Sequence, residues 1–357
     1  MSFLSVITAA ALAVSAFVPV PAASSPGAVP PTVSAKGCVV IDSLSGDVLF
    51  SCNENERLPM ASTTKIMSAY IALREPGLDT PFTVDSEAIK VEGSSMGLRE
   101  GDTVTLRDLV CGMLLPSGND AANAAAVRIS GSIPAFVGRM NACAEELGLK
   151  DTHFVTPSGL DDYTDEHYST ALDMARLTRA ALRLDSFREI CSQKTVCLEI
   201  GDKPEKRWLT NTNRLLSQCG GCIGVKTGFT DKAGRCLVSA CEREGVTLIC
   251  VTLNDRDDWR DHSVLYDYCF SQLESVQLTP KREEYVIPSA VRGDEPVRAV
   301  GESAQVLLPA GAAARLRRVT LIAPFTYGTS AGEQVGRTDF YLDGRLYRSL
   351  PVIASSG

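Results

Sequence analysis

The period of the apolar pattern changes twice along this chain, and that order constrains the fold more than any single residue does. The stretch CVVIDSLSGDVLFSC, residues 38 to 52, reads as two short strands rich in β-branched residues around a Ser-Gly-Asp turn, a hairpin. From Ser62 to Leu73 the spacing becomes helical, with Ile66, Met67, Tyr70 and Leu73 on one side. Further helical patterns span Thr105 to Leu115, Asn119 to Ile129, Ile133 to Leu147 and Thr170 to Leu184, each bounded by Gly, Ser, Pro or Asp. Strand-like runs then return as GVKTGFT (224–230), RCLVSAC (235–241) and VTLICVTL (246–253), and a last helical pattern runs from Trp259 to Leu273. Strands at both ends of a unit with helices between them predict an α+β fold, an antiparallel sheet with helices packed on it.

Residues 276 to 357 differ. Short alternating segments such as EYVIPSAV, SAQVLLP, RRVTLIAP and RTDFYLDGRLY predict a small all-β domain. All twelve cysteines lie between Cys38 and Cys269, which also places a boundary near residue 275. A chain of 357 residues is long enough for two domains. At the other end, Met1 to Val20 is an almost uninterrupted run of apolar and small residues followed by Pro21, Ala22 and Ala23, the pattern of a secretion signal. Its n-region holds no Lys or Arg, so an uncleaved N-terminal anchor is the alternative. The expected organisation is a signal over 1–23, a Ser/Pro/Gly linker over 24–35, a main domain over 36–275 and the β domain over 276–357. No later stretch reaches the roughly 18 apolar residues of a membrane span. The net charge of -8, with no basic run, argues against nucleic acid and against an anionic lipid surface.

Three short motifs carry candidate chemistry. Ser62 and Lys65 are three positions apart, so on a helix they share a face. A serine hydroxyl needs a nearby base, and lysine can be one only if burial or a second cation lowers its pKa. Ser-x-x-Lys nevertheless turns up about once by chance in such a chain, and a serine helix cap is the ordinary explanation. Ser117, Gly118 and Asn119 sit in a turn between two helical runs, where either polar residue could equally be a cap. Lys226-Thr227-Gly228 lies in a strand-like segment, where a glycine permits close backbone approach and an extended peptide can align along an edge. The bland reading is an exposed edge strand blunted by a lysine.

The order and contexts of the three motifs agree with a known trio. Together with VVIDSLSGDVLF, LPMASTTKIMSAY, LLPSGNDAANAAA, FVGRMNACAEELGLKDTHFVTPSGLD, YSTALDMARL, TNTNRLL and GVKTGFTDKAGRCLVSA, the chain resembles the low-molecular-weight penicillin-binding proteins of the D-alanyl-D-alanine carboxypeptidase type. APFTYGTSAGEQVGRTDFYLDG also resembles the small β domain those enzymes carry. No amphipathic helix follows LPVIASSG, which leaves membrane association open.

The resemblance implies the β-lactamase/transpeptidase-like fold and a set of roles. Ser62 would be acylated, Lys65 would take its proton, and Ser117 would relay a proton to the leaving amine. Asn119 would hold the substrate amide, Lys226 would keep Lys65 neutral, and Thr227 and Arg260 would meet the substrate carboxylate. Gly228 would let the substrate approach, and the N–H groups of Ser62 and Phe229 would form the oxyanion hole. It further implies peptidoglycan stem peptides as substrates, β-lactams as covalent inhibitors, an extracytoplasmic location, and no metal or organic cofactor.

Rival readings are weaker. GSSMG (93–97) fits a Gly-x-Ser-x-Gly elbow, but that elbow needs a strand before it and a helix after, and glycines follow too quickly. Ser95 is therefore expected in a loop, and the three histidines, His153, His167 and His262, are not expected to serve as a base. Cys219-Gly-Gly-Cys222 lacks a second ligand pair at zinc spacing, so free thiols or one local disulfide are expected. A class A β-lactamase would carry a Glu-x-x-Leu-Asn stretch, which is absent. A D,D-endopeptidase shares the whole motif set, and a non-catalytic penicillin-binding scaffold would not require it. Cys38 and Cys52 flank the first hairpin symmetrically about Ser45, so they should face each other across the ladder. A disulfide and a reduced pair both fit that register, and the reduced pair is expected because so many other cysteines lack evident partners.

Overall fold

In the computed structural model, described over residues 11–13, 29–161, 164–201, 205–279, 283–291, 293 and 295–355, the expected strand–helix–strand order closes into one sheet. The strands run Val48–Cys52, Gly37–Asp42, Val246–Leu253, Gly234–Arg243 and Cys222–Thr230 across it, every neighbour antiparallel. The first hairpin thus pairs with the last strands of the unit. Gly37–Asp42 and Val246–Leu253 are almost wholly buried, as continuous Val/Ile/Leu runs in central strands should be. Cys222–Thr230 lies at the edge, so one side of its backbone faces no other strand.

One face of the sheet is covered by the middle of the chain. Val39, Ile41, Val238, Ala240, Ile249 and Val251 share a core with α1 (Lys65–Ala72), α2 (Leu106–Leu114), α3 (Asn119–Ser130), α4 (Ile133–Glu146) and α5 (Ala171–Ala181). Three of these helices start at side-chain caps. Thr105 and Asp108 form a capping box on α2, Ser132 caps α4 and Thr170 caps α5. The other face is covered by α8 (Asp258–Ser271), whose His262 and Tyr266 bond Ser239 on the strand Gly234–Arg243.

Some elements had no clear sequence signal. The helix expected from Ser62 starts as a 3-10 turn, Ala61–Thr64, and becomes α-helical at Lys65. Two short helices, α6 (Asp185–Ser192) and α7 (Leu215–Gln218), and a hairpin of Thr195–Ile200 with Glu205–Thr210 lie between α5 and the edge strand. The hairpin carries charged residues on a largely solvent-facing ladder, so it lacks the apolar alternation by which strands are read.

By its contacts the chain separates into two units, Val29–Ser271 and a second containing Gln272–Gly357. Among the described residues the second is all-β apart from one 3-10 turn, Ala312–Arg315. Its main sheet runs Ala11–Ala13, Leu316–Ile322, Gln334–Leu342, Arg345–Ala354, Val297–Gly301 and Glu283–Ile287, and Leu273–Gln277 pairs separately with Gln305–Pro309. The expected signal, 1–23, falls outside the described residues apart from Ala11–Ala13. Among the described residues no helix is long and apolar enough to cross a membrane.

Cys38 and Cys52 are partners in the first hairpin, as their symmetry about Ser45 suggested, and both thiols are free. All the other cysteines are free as well, Cys219 and Cys222 included.

Candidate active site

Three elements converge on Ser62. The 3-10 turn carries it, the N-terminus of α3 approaches from the helical side, and the edge strand passes alongside. Gly228 shows how close that strand comes: a Cβ there would lie 3.1 Å from the Ser62 nitrogen and 3.2 Å from both Ala61 Cβ and the Met60 carbonyl. Any side chain at position 228 would push the strand from the serine. Gly159, with φ +91°, is under a similar constraint, because a Cβ would meet the Ala61 carbonyl at 2.0 Å.

The capping explanation for Ser62 does not hold in the structure. No side chain caps the 3-10 turn or α1, and the Ser62 hydroxyl lies 2.8 Å from Lys65 Nζ. Lys65 is fully buried, and its Nζ also reaches Asn119 Oδ1 and the Ser158 carbonyl, each at 2.7 Å. With the amine neutral, two N–H bonds serve those two oxygens and the lone pair is left for the Ser62 proton. The neutral form is favoured here. Burial holds the Lys65 pKa well below that of an ordinary lysine, nearby Lys226 lowers it further, and Asp120 opposes them.

Lys226 is not an edge-blunting surface residue. It is 1% exposed, and burial lowers its pKa to about 7. Its Nζ donates to the Thr227 carbonyl at 2.8 Å. Thr227 Oγ1 lies 2.7 Å from Thr212 Oγ1, and the Thr212 N–H donates to the Leu115 carbonyl at 3.1 Å. The edge strand is thereby joined to the end of α2.

Neither Ser117 nor Asn119 caps α3; the N-cap position is Gly118. Ser117 takes a left-handed conformation with φ 68°, which an ordinary residue adopts only at the expense of about 1–3 kcal/mol. Gly118 cannot be larger, since a Cβ would lie 2.7 Å from Asp120 Oδ1 and 2.9 Å from the Met96 nitrogen. Asn119 Oδ1 faces Lys65, and its Nδ2 donates to the Glu92 carbonyl at 2.7 Å.

Arg260 is joined to this constellation by no hydrogen bond. It lies on α8 with its side chain 64% exposed, and its Nη1 donates to Asp261 Oδ1 at 3.3 Å. On the neighbouring strand Arg235 stands directly opposite Phe229, held by Asp258 and the Trp259 ring. Phe229 itself is 63% exposed.

The decoys resolve physically. Ser95 is in a loop and its hydroxyl donates to Asp120 Oδ2 at 2.6 Å. His167 is buried: its Nδ1 accepts from the Val155 N–H at 2.9 Å, so its Nε2 carries the proton toward Thr64 Oγ1 at 2.8 Å. Burial lowers its pKa to about 3, and it braces the turn around Ser62 as a neutral ring. His262 sits behind the sheet with Ser239 and Thr252. Among the described residues no cluster of His, Cys, Asp or Glu could hold a metal ion.

Sequence reasoning did not single out Asp120, Ser158 or Thr212. Ser158 acts through a backbone carbonyl, which no residue type encodes, whereas Asp120 adjoins a motif and was in plain view.

Comparison with known proteins places the chain among cell-wall peptidases. The family described as D-alanyl-D-alanine carboxypeptidase matches residues 24–257. The D-alanyl-D-alanine carboxypeptidase DacF of Bacillus subtilis is 35% identical over 70% of this chain, which spans 65% of that protein's length. DacC of Escherichia coli is 34% identical over 90% of this chain and 84% of its own. Among solved structures, the Streptomyces K15 DD-transpeptidase superposes with a TM-score of 0.64 at 32% identity, covering 68% of this chain and 100% of its own. The carboxypeptidase DacD of Francisella tularensis superposes with a TM-score of 0.66 at 26% identity, covering 94% of this chain and 97% of its own.

Proposed function

The chain belongs to the D-alanyl-D-alanine carboxypeptidase family, and from that premise we propose that it removes the terminal D-alanine from peptidoglycan stem pentapeptides through an acyl-enzyme on Ser62. The observation that carries the reading is the buried Lys65 amine, 2.8 Å from the Ser62 hydroxyl and bonded to two further oxygens.

In this mechanism Ser62 Oγ attacks the carbonyl carbon of the penultimate D-alanine while Lys65 Nζ takes the hydroxyl proton. The N–H groups of Ser62 and Phe229 receive the oxyanion, and one such donor is worth about 2.7–4 kcal/mol where tested. The tetrahedral intermediate collapses, the C–N bond breaks, and the departing amine takes a proton through the Ser117 hydroxyl. Water then attacks the ester, the serine oxygen leaves and regains its proton, and the shortened peptide is released. The substrate backbone aligns along the open edge of Cys222–Thr230, with Asn119 on its amide and Thr227 on its terminal carboxylate. Arg260, exposed and close in sequence to the last sheet strand, would turn from Asp261 to assist that carboxylate. β-Lactams acylate the same serine. No step draws on a metal or cofactor.

The enzyme works in the extracytoplasmic envelope, delivered by the apolar N-terminal segment. Residues 276–357 hold none of the motif residues and act as a spacer.

Two measurements test this. Incubation with benzylpenicillin should add one drug mass at Ser62, and Ser62→Ala should abolish the adduct; an adduct on another residue, or a labelled variant, overturns the assignment. Product analysis on a stem pentapeptide should yield free D-alanine and the tetrapeptide. Peptide dimers as the main product would instead favour acyl transfer to an amine, the activity named for the Streptomyces neighbour.

A further inference from the structure

Asp120, the residue after Asn119, has a side chain that belongs to another segment. Its carboxylate is 2% exposed and collects donors from one loop. Oδ1 accepts from the Met96 N–H at 2.9 Å, and Oδ2 accepts from the Ser95 hydroxyl at 2.6 Å, the Gly97 N–H at 3.1 Å and the Leu98 N–H at 3.0 Å. Oδ1 also accepts from the Ala121 N–H at 2.9 Å, which orients it at the start of α3. This loop is the GSSMG stretch, whose glycines and serine resemble a nucleophile elbow but have no such role here.

The loop is seated at two further points. Met96 is buried against Gly112, where a Cβ would lie 2.2 Å from the methionine sulfur. Gly93, with φ +84°, lets the backbone lie against the Asn119 amide, since a Cβ there would meet Nδ2 at 2.8 Å. The Glu92 carbonyl accepts from Asn119 Nδ2, and the Ser94 carbonyl accepts from the Asn119 N–H at 2.7 Å. An Asn side chain can flip its oxygen and nitrogen at little steric expense, and only its partners decide which end faces Lys65. Here the loop carbonyl demands the NH2, so the oxygen must face Lys65 Nζ.

We propose that Asp120 is a positioning residue for the reaction: by anchoring residues 92–98 it fixes the Asn119 amide with Oδ1 toward Lys65, which leaves the Lys65 lone pair directed at Ser62. It acts a second way, through charge. The charged groups acting on Lys65 are Lys226 from the edge strand and Asp120 from α3, and they act in opposite directions. Asp120 limits how far the amine is depressed and so keeps it a competent base. This inference rests on the acyl-enzyme reading of Ser62.

The test is the rate of acylation by benzylpenicillin across pH, measured first on the wild-type chain. No labelling of the wild type would defeat the acyl-enzyme reading itself. With labelling established, Asp120→Asn should lower the rate by up to about 100-fold, the scale of a misplaced catalytic group. It should also move the acid limb of the profile to lower pH, because loss of the carboxylate charge lets Lys65 deprotonate more readily. A purely structural lesion lowers the rate without moving that limb. Asp120→Glu keeps the charge and should return the limb toward its wild-type position. A folded Asp120→Asn protein with a rate within twofold of wild type, or an unmoved limb, overturns the proposal. If that variant does not fold, Ser95→Ala decides: it removes one anchor and no charge, so a lowered rate with the limb in place and the unfolding midpoint unchanged supports the proposal, whereas the wild-type rate, or a lowered rate that only accompanies a lowered unfolding midpoint, overturns it.

Discussion

On one face of the five-stranded sheet Ser239, Thr252, His262 and Tyr266 share a closed set of hydrogen bonds; on the other, Ser62, Lys65 and Asn119 share an open one beside Lys226. Both sets are buried and polar, and the strand Gly234–Arg243 separates them by one residue. Ser239 faces α8, while the adjacent Val238 pairs with Lys226 across the ladder. Behind the sheet every group is neutral and partnered. Burial lowers the His262 pKa to about 3, so the ring stays uncharged between the Ser239 and Thr252 hydroxyls at 2.6 and 3.0 Å. In front, two amines whose protonated forms would repel each other are held where water cannot stabilise a charge. Burial of polar groups is therefore not by itself a mark of chemistry. What distinguishes the front face is that burial and like charge together keep a base unprotonated.

The contrast can be broken most directly at Lys65. Lys65→Met should reduce the rate of penicillin acylation by about 10²–10⁴-fold, the range for loss of a general base. A fluorescent-penicillin time course with near wild-type labelling would show that the amine is not the base.

Lys226 tests the claim that the front face trades stability for reactivity. A buried lysine whose pKa is about 7 in the folded state and near 10.5 when unfolded is a liability at neutral pH. As pH falls from 10.5 toward 7, the unfolded chain takes up a proton that the folded chain refuses, and stability declines. Lys226→Met should therefore raise unfolding stability at pH 7 by about 1–4 kcal/mol, and the gain should vanish above pH 10.5. The same change removes a positive charge from beside Lys65, so the acid limb of acylation should move to higher pH. Urea melts at two pH values and a pH–rate profile check both signs, and a destabilised variant with an unmoved limb would dissolve the distinction.

The smallest effect is expected behind the sheet. Tyr266→Phe leaves Ser239 without one partner and should lower stability by about 1–3 kcal/mol. Acylation should proceed at the wild-type rate, so a slowed reaction in the folded variant would mean that the two faces are coupled.

Much of this was readable in the sequence, for reasons that differ by residue. The sheet could be anticipated because Val246–Leu253 and Gly37–Asp42 are central strands, whose continuous apolar runs leave few alternatives. The hairpin at 195–210 could not, because a solvent-facing ladder tolerates the same charged residues as a loop. Ser62, Asn119 and Lys226 each had an ordinary explanation as a cap or a surface lysine, and choosing between readings required knowing what their side-chain atoms touch. Lys65 depends on the Ser158 carbonyl, and backbone position is a property of the fold. Asp120 escaped notice because its partners, the Ser95 hydroxyl and three backbone N–H groups, lie 22 to 25 residues away in a loop whose glycines and serine suggested a nucleophile elbow instead.

The free thiols have a consequence in time. Burial raises the pKa of Cys111, Cys191, Cys236 and Cys269 to about 12, and that of Cys222 to about 11, so these five present little thiolate to an oxidant once the chain is folded. Cys219 differs from them, lowered to about 6 by its contacts with Cys241 and Arg243. Before folding, none of this shielding exists. In the extracytoplasmic location proposed here, a newly delivered chain therefore runs a race between burying its sulfurs and having them cross-linked. Its yield depends on how quickly strands drawn from opposite ends of a 243-residue unit find each other, more than on the stability of the product once formed.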